Sequence, residues 1–196
     1  MTKRDVFLTL AGSALVGLYL IPTLLNTGTL NKIPSPFIIL FVVIPTLSLL
    51  GMFFVHLISK KIAILWQIAK FALVGFLNTA IDFGILNFLS VIFSVTKGAG
   101  IIPINAVSVS FAIINSFYWN KDWVFASRKQ ANFITFAIIT VIGLSINTAI
   151  VYILTTFFRP IIVDSPTLWA NFAKALATIV SMVWNFLGYK LIVFKR

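Results

Sequence analysis

Residues 71–88 read FALVGFLNTAIDFGILNF, an apolar run interrupted by a single carboxylate, Asp82. A run of this length crosses a hydrocarbon core about 30 Å thick as one helix. Similar runs recur along the chain, and we predict six membrane-spanning helices. They cover residues 6–25, 37–58, 71–93, 101–119, 133–157 and 168–188. The predicted fold class is therefore an all-α integral membrane protein.

The overall composition also indicates a membrane protein. Of the 196 residues, 60% are hydrophobic and 10% are charged, which leaves short connections and no room for a soluble catalytic domain. The first apolar run exceeds a usual signal core and precedes no small-residue cleavage site, so we expect it to stay as a helix. The chain has no cysteine or glutamate to join the single histidine, His56, at a metal site. We expect no metal and no cofactor.

The net charge of +11 is distributed unevenly along the predicted spans. Eleven lysines and arginines fall on the side of the two termini, whereas only Lys32, Lys97 and Arg159 fall on the other side. Basic loops are retained on the cytoplasmic side of a membrane. The pattern predicts a multi-pass protein of the cell membrane with both termini in the cytoplasm. Its basic surface favours anionic lipid over nucleic acid as a partner.

The last two thirds of the chain repeat after 69 residues. At this shift Asn78–Ile81 matches Asn147–Ile150, and a Lys-x-x-Val-Phe pattern at 121–125 recurs at 190–194, with 11 identities over 48 positions. Two spans return a chain to its starting side, so the repeats are expected to be parallel. We predict an N-terminal helix pair at 1–66 and a four-helix domain at 67–196, with halves at about 67–127 and 131–196.

Three residue patterns in this region resemble the GtrA-like family. They are Lys70-Phe71-x-x-Val74-Gly75-x-x-Asn78, then Asn115 followed by Asn120-Lys121-x-Trp123-Val124-Phe125, and then Lys174 followed by Trp184-Asn185-Phe186-x-x-x-Lys190-x-x-Val193-Phe194. The resemblance covers about residues 68–195, and the family includes the membrane domain attached to some dolichyl-phosphate mannose synthases. It implies a four-helix protein of cell-surface polysaccharide synthesis. Such a protein would move polyprenyl-phosphate-linked sugars across the membrane or assist the glycosyltransferases that use them.

Two features depart from the family pattern. Lys121 and Lys190 stand where the family often has arginine, and lysine offers a phosphate a point charge without the bidentate fork of a guanidinium group. The N-terminal helix pair is also atypical. Details of partner or substrate are therefore expected to differ from those of other members.

Asp82 needs a partner, because an ionised carboxylate in the middle of a span costs about 3 kcal/mol. The helix rise places Asp82 about 18 Å from the cytoplasmic end of its span and Lys174 about 10 Å from the external end of the sixth span, so their depths nearly coincide. We predict an ion pair that either holds the repeats together or opens when Lys174 binds a lipid phosphate. In a third alternative, Lys174 reaches toward the headgroups by itself.

Four asparagines are further candidates for substrate binding. Asn78 and Asn147 occupy equivalent positions of the repeat, and Asn115 and Asn185 stand near matching levels with an offset of one residue. An unpaired amide is unfavourable in lipid, so these side chains face protein. One alternative is that they form hydrogen bonds between helices, which in the case of Asn78 and Asn147 would cross the repeat axis. The other alternative is that they contact substrate.

Two lysines complete the candidate site. Lys121 and Lys190 are expected just past the cytoplasmic ends of their helices, beside tryptophan and tyrosine rings. They belong either to an ordinary interfacial belt or, together with Asn120, to a docking point for a prenyl phosphate.

The carboxylates do not suggest an enzyme. Asp5 is near the start of the chain, Asp122 and Asp164 are expected at opposite membrane surfaces, and only Asp82 lies in the core. Three hypotheses remain. The first is a transporter that passes a lipid-linked sugar through a polar seam, which a homodimer could complete. The second is a non-catalytic anchor or accessory subunit of a membrane glycosyltransferase, and the third is an exporter of small cations.

Overall fold

The computed structural model describes residues 1–95, 99–127, 131–158 and 166–195, and the regular elements in these ranges are all helical. Six helices in this part of the chain are long and apolar enough to cross a membrane. They are α1 (Lys3–Asn26), α2 (Pro36–Ser59), α3 (Ile64–Ile92), α4 (Ile101–Val124), α5 (Phe133–Phe157) and α6 (Pro166–Gly188). The predicted all-α membrane fold is confirmed.

Three helices include a π-helical turn. In α2 the turn Ile39–Val43 precedes Pro45, whose ring would collide with the carbonyl four residues earlier in a regular helix. The last turn of α4 is Asn120–Val124, and α6 is continued by the turn Tyr189–Val193. The wider turn places three consecutive residues of α4 and its exit, Trp123 to Phe125, in the protein interior.

Two structural spacings equal the 69-residue shift of the predicted repeat, which itself stays a prediction. The first residues of α3 and α5, Ile64 and Phe133, are 69 residues apart, and the π turns Asn120–Val124 and Tyr189–Val193 differ by the same shift. The parallel orientation of the repeats stays a prediction.

The packing divides the chain into two compact units, Met1–Ala126 and Ser127–Arg196. In the first unit α1 packs along α3, which also packs against α4, and α2 covers α1 and α3. The second unit is the helix pair of α5 and α6 with its π turn. The N-terminal helix pair therefore packs with the first repeat as one body.

In the first unit, α1 and α3 run in the same direction. An ion pair joins Asp5 to Lys70 near the start of both helices, and a hydrogen bond joins Asn26 to Asn87 near their ends. Between these contacts the two backbones touch, because a Cβ at Gly84 would overlap the carbonyl oxygen of Tyr19. Glycine is required there by close helix packing.

The ends of α2 and α4 meet the starts of α1 and α3. The Met1 amino group hydrogen-bonds His56 near the end of α2, and the Trp123 indole in the last turn of α4 donates to Asp5. The four helices therefore alternate in direction, as four successive membrane spans must. We name this end of the first unit the basic end. It carries Lys3, Arg4, Lys60, Lys61, Lys70 and Lys121.

The outward faces of the helices are apolar. Phe7, Phe76 and Phe157 are each about two thirds or more exposed, at 68%, 71% and 70%. Large apolar side chains in such numbers would be unfavourable in water and are at no disadvantage in lipid. The chain is a multi-span membrane protein.

Candidate functional site

A carboxylate with four hydrogen-bond donors lies at the basic end of the first unit. Lys70 Nζ is 2.6 Å from Asp5 Oδ1, and the Trp123 indole donates to the same oxygen at 2.9 Å. The backbone nitrogen and hydroxyl of Thr2 donate to Asp5 Oδ2 at 3.0 and 2.7 Å. Asp5 is buried, yet both of its oxygens are paired, so its charge is compensated.

Local structure positions this cluster. Thr2 and Asp5 form a capping box at the start of α1, where a negative charge also suits the helix dipole. Lys70 lies in the second turn of α3, and its ammonium group is 5.0 Å from the centre of a Trp66 ring and 5.5 Å from that of Trp123. Both distances allow cation–π attraction.

This cluster was not predicted from the sequence, and the reason is a helix boundary. The third span was expected to begin at residue 71, which left Lys70 in a connecting loop. That expectation is wrong, because α3 begins at Ile64 and carries Lys70 inside the helix. The Thr-x-x-Asp spacing before an apolar run is a capping signal that points to Asp5. No local signal links it to a lysine 65 positions away.

Asp82 lies in the interface between α3 and α4. The hydroxyl of Ser108 on α4 donates to Asp82 Oδ1 at 2.6 Å, and the Asp82 side chain is half-buried. The serine was not identified from the sequence. Lys174 belongs to α6, but its side chain lies outside the described residues, so the ion pair between Asp82 and Lys174 stays a prediction.

Asn78 and Asn115 meet one turn away from Asp82. The amide nitrogen of Asn115 donates to Asn78 Oδ1 at 2.8 Å. Since Asn78 and Asp82 are four residues apart, the two contacts are about 6 Å apart along α3. Together they form the polar seam, which we define as Asn78 and Asp82 of α3 with Asn115 and Ser108 of α4.

The asparagines of the second half also connect the helices of their own half. The Asn147 amide donates to the hydroxyls of Thr178 and Ser181 at 3.4 and 3.5 Å. Asn185 packs its side-chain amide against Gly143, where a Cβ would overlap it. These contacts place the four predicted asparagines between helices, and their role in substrate binding stays a prediction.

The α-helical segments end at Trp119 and Gly188, as predicted. Lys121, Lys190 and Asn120 lie in the π turns that follow directly, so the helical path continues through them. Lys190 Nζ is 5.7 Å from the ring centre of Phe186. Asn120 is fully buried and donates to the Ser116 carbonyl at 2.7 Å, while its amide oxygen accepts no hydrogen bond from a described residue.

The end of the first unit opposite the basic end contains an apolar cavity. The cavity of about 420 Å³ lies between the end of α3 and the start of α4. Its walls are formed by Leu89, Phe93, Val95, Gly100, Pro103, Ile104 and Val107. A cavity with these walls suits hydrocarbon and offers nothing to a charged head group.

Comparison with known proteins places these features in a family. The family model described as the GtrA/DPMS transmembrane domain matches residues 70–194, more than half of the chain. The uncharacterized membrane protein YngA of Bacillus subtilis (strain 168) is 27% identical over 130 residues, which cover 65% of this chain and 78% of YngA. No solved structure matches the chain significantly. The polar seam and Lys70 lie inside the matched segment and Asp5 outside it, and the predicted resemblance is confirmed: the chain belongs to the GtrA/DPMS transmembrane-domain family.

Proposed function

We propose that this protein moves a polyprenyl-phosphate-linked sugar across the cytoplasmic membrane for cell-surface polysaccharide synthesis or glycosylation. The observation that carries the proposal is the polar seam between α3 and α4, which includes a carboxylate at mid-span. Polar and ionisable groups are costly inside a membrane and commonly mark the path of a polar substrate. Membership of the GtrA/DPMS transmembrane-domain family also supports the proposed function.

In the proposed mechanism the sugar and phosphate follow polar side chains while the prenyl tail stays in lipid. Lysines at the basic end, including Lys121, attract the phosphate, and Lys190 serves the same purpose in the second half. Asp82 and Lys174 then act at the level of the membrane core, with the asparagines as hydrogen-bonding partners for sugar hydroxyls. Rocking of one repeat against the other gives alternating access. No bond is made or broken, so the role is not enzymatic.

Translocation in sealed proteoliposomes tests this proposal. A fluorescent polyprenyl-phosphate sugar is placed in one leaflet, and its transfer is followed for the wild type, Asp82→Asn, Ser108→Ala and Lys174→Ala. We expect Asp82→Asn to slow transfer at least about tenfold, which equals about 1.4 kcal/mol in the activation barrier. Lys174→Ala is expected to have a comparable effect and Ser108→Ala a smaller one.

Ser110→Ala is the matched control for the serine variant. Ser110 is exposed on the same helix, and its hydroxyl bonds only its own helix backbone, at the Ala106 carbonyl, among the described residues. Transfer by Ser110→Ala should equal that of the wild type. If folded Asp82→Asn protein transfers lipid as fast as the wild type, the seam is not in the path.

One observation favours a second role. Within the described residues, the polar groups of the seam are paired with each other, which is what helix-joining contacts require. This arrangement supports a non-catalytic anchor or accessory subunit of a polyprenyl-phosphate glycosyltransferase. Wild-type protein that transfers no such lipid, yet copurifies with a glycosyltransferase whose activity depends on it, would favour this role over transport.

A further inference from the structure

The ion pair of Asp5 and Lys70 joins the segment that matches the family to the added N-terminal helices, which lie outside it. Lys70 is the first residue of the segment that matches the family, whereas Asp5 belongs to the added helix pair. The contact is close and sheltered, with 12% of the lysine side chain and 8% of the aspartate side chain exposed. The added helices therefore supply a counter-charge to a cation of the family domain.

Asp5 does not depend on Lys70 for its hydrogen bonds. If the lysine moves away, Oδ2 keeps both donors from Thr2, and Oδ1 keeps the indole of Trp123. Buried charges are usually held in place because one partner cannot leave without stranding the other. Here the carboxylate stays solvated by protein donors, so the ion pair can open without an orphaned oxygen.

Lys70 has the surroundings of an anion-binding residue. Trp66 and Trp123 flank its ammonium group and keep their attraction to it when the carboxylate is exchanged for another anion. The basic end also carries Lys3, Arg4 and Lys121, which raise the local concentration of anionic headgroups.

Two buried polar atoms lie one helical turn deeper than the ion pair. Thr9 follows Asp5 by four residues on α1, and Asn120 precedes Trp123 by three on α4. The hydroxyl of Thr9 and the amide oxygen of Asn120 have no hydrogen-bond partner among the described residues, although both side chains are fully buried. Unsatisfied groups of this kind are uncommon and call for a ligand or water. A sugar hydroxyl next to the phosphate is a suitable donor to Asn120.

We propose that Lys70 binds the phosphate ester of a membrane lipid and that Asp5 occupies this site in the closed conformation, in which the ion pair is formed. The N-terminal helix α1 is then an internal competitor that keeps the site closed until a phosphate displaces its carboxylate. This inference rests on the proposed function in one respect: the lipid is expected to be the polyprenyl phosphate that is carried. Binding and transport can nevertheless be measured separately.

The test is equilibrium binding to the full chain in phosphatidylcholine nanodiscs, followed by tryptophan fluorescence. Polyprenyl phosphate, phosphatidylglycerol and inorganic phosphate are titrated in separate arms. We expect Asp5→Asn, which keeps an acceptor oxygen and removes the charge, to tighten binding of polyprenyl phosphate about tenfold. This is the factor expected when the open state is about one tenth populated. Lys70→Gln should weaken the binding.

A double-mutant cycle identifies competition specifically. If Asp5 acts by occupying Lys70, then Asp5→Asn changes affinity in the wild-type background and not in Lys70→Gln. Asp122→Asn is the matched control, because it removes an exposed carboxylate from the same end without touching Lys70. If Asp5→Asn does not yield folded protein, Asp5→Ser serves in the same cycle.

The outcomes separate this inference from the proposed function. Tighter binding that depends on Lys70, without lipid transfer in proteoliposomes, supports the site and contradicts transport. Three results contradict competition by Asp5, whatever the transport result. They are unchanged or weaker binding in folded Asp5→Asn, an equal gain in affinity in Asp122→Asn, and a gain in affinity that persists in the Lys70→Gln background. A response to polyprenyl phosphate alone identifies the carried lipid as ligand, whereas an equal response to phosphatidylglycerol identifies bulk phospholipid.

Discussion

In the first half of the family domain the π turn Asn120–Val124 lies beside a buried ion pair, whereas in the second half the turn Tyr189–Val193 lies among aromatic rings. Both turns close with a bond between residues five apart, from the Phe125 amide at 2.9 Å and from the Phe194 amide at 2.8 Å. Both phenylalanines are buried. The two turns have the same hydrogen-bonding pattern and the same type of closing residue, but the side chains around them differ.

Among the described residues, the second half satisfies its turn without an ion pair. The Tyr189 ring stacks on Phe136 with centres 4.2 Å apart, and its hydroxyl is 2.6 Å from that of Thr140. The position equivalent to Lys70 is Ile139, and the position equivalent to Trp123 is Ile192. The π turn therefore does not require a charged residue at the position of Lys70. The lysine is present in the first half, where α1 places the carboxylate of Asp5 next to it.

The largest expected effect comes from removing that carboxylate. Asp5→Ala leaves Lys70 buried without its counter-charge and deprives Trp123 and Thr2 of their acceptor. We expect the free energy of unfolding to fall by about 3–5 kcal/mol, as when one member of a buried ion pair is deleted. Unfolding in mixed detergent micelles measures it. Asp122→Ala, at an exposed site, should change stability by less than about 0.5 kcal/mol. If the two variants lose equal stability, the ion pair of Asp5 and Lys70 contributes no more to stability than an exposed carboxylate does.

A second variant tests the close helix contact of the second half. A Cβ at Gly188 would lie 2.7 Å from Ile139 Cγ2, so Gly188→Ala should destabilise the protein by about 1–3 kcal/mol through overpacking. The equivalent residue in the first half is Trp119, which fits against Gly12 of α1. Gly75→Ala is the control, since nothing lies within 4 Å of its added Cβ. If both alanine variants unfold alike, the close contact at Gly188 does not restrict the packing of the second half.

A third variant separates the hydroxyl contact of the second half from its ring stack. Tyr189→Phe keeps the ring on Phe136 and loses the bond to Thr140, so stability should fall by about 1 kcal/mol. Thr140→Val should have a similar effect, and the double variant should lose less than the sum of the two. Strictly additive losses would mean that the two hydroxyls do not interact.

The smallest effect concerns a contact that both halves share in kind. Asn115→Ala removes the amide bond to Asn78 and should lower stability by about 0.6 kcal/mol, the average for hydrogen bonds between membrane helices. Asn105→Ala is the control, because Asn105 is exposed on the same helix. A loss above about 2 kcal/mol would exceed the range for helix-joining bonds. It would show that the contact between Asn78 and Asn115 has a larger structural role than an ordinary hydrogen bond between membrane helices.

Much of the fold could be predicted because lipid imposes strict local conditions. A span must be long and apolar, and its backbone must be hydrogen-bonded internally, so each helix is visible in a window of about 20 residues. The boundaries were less accurate. α3 begins seven residues earlier than expected at Ile64, because the end of a span is determined by the partners of residues such as Lys70.

The candidate site was predictable in its polar residues and not in their pairing. Asp82, Asn78 and Asn115 are conspicuous because an apolar run surrounds each of them. Their partners are decided by how α3 and α4 pack, which brings Ser108 to Asp82 although serine is unremarkable in a membrane helix. The π turns were not foreseen either, since residues 120–124 and 189–193 contain no local signal that distinguishes them from an α-helix.

The sequence by itself determined the membrane environment, the all-helical class and the family, since each depends on hydrophobic length or on a residue pattern. Only the tertiary structure decided which charges meet. Asp5 and Lys70 are 65 residues apart, and they pair because α1 and α3 start at the same end and pack in parallel. The pairing energy of a buried charge depends on its neighbours in space, and no local pattern contains them.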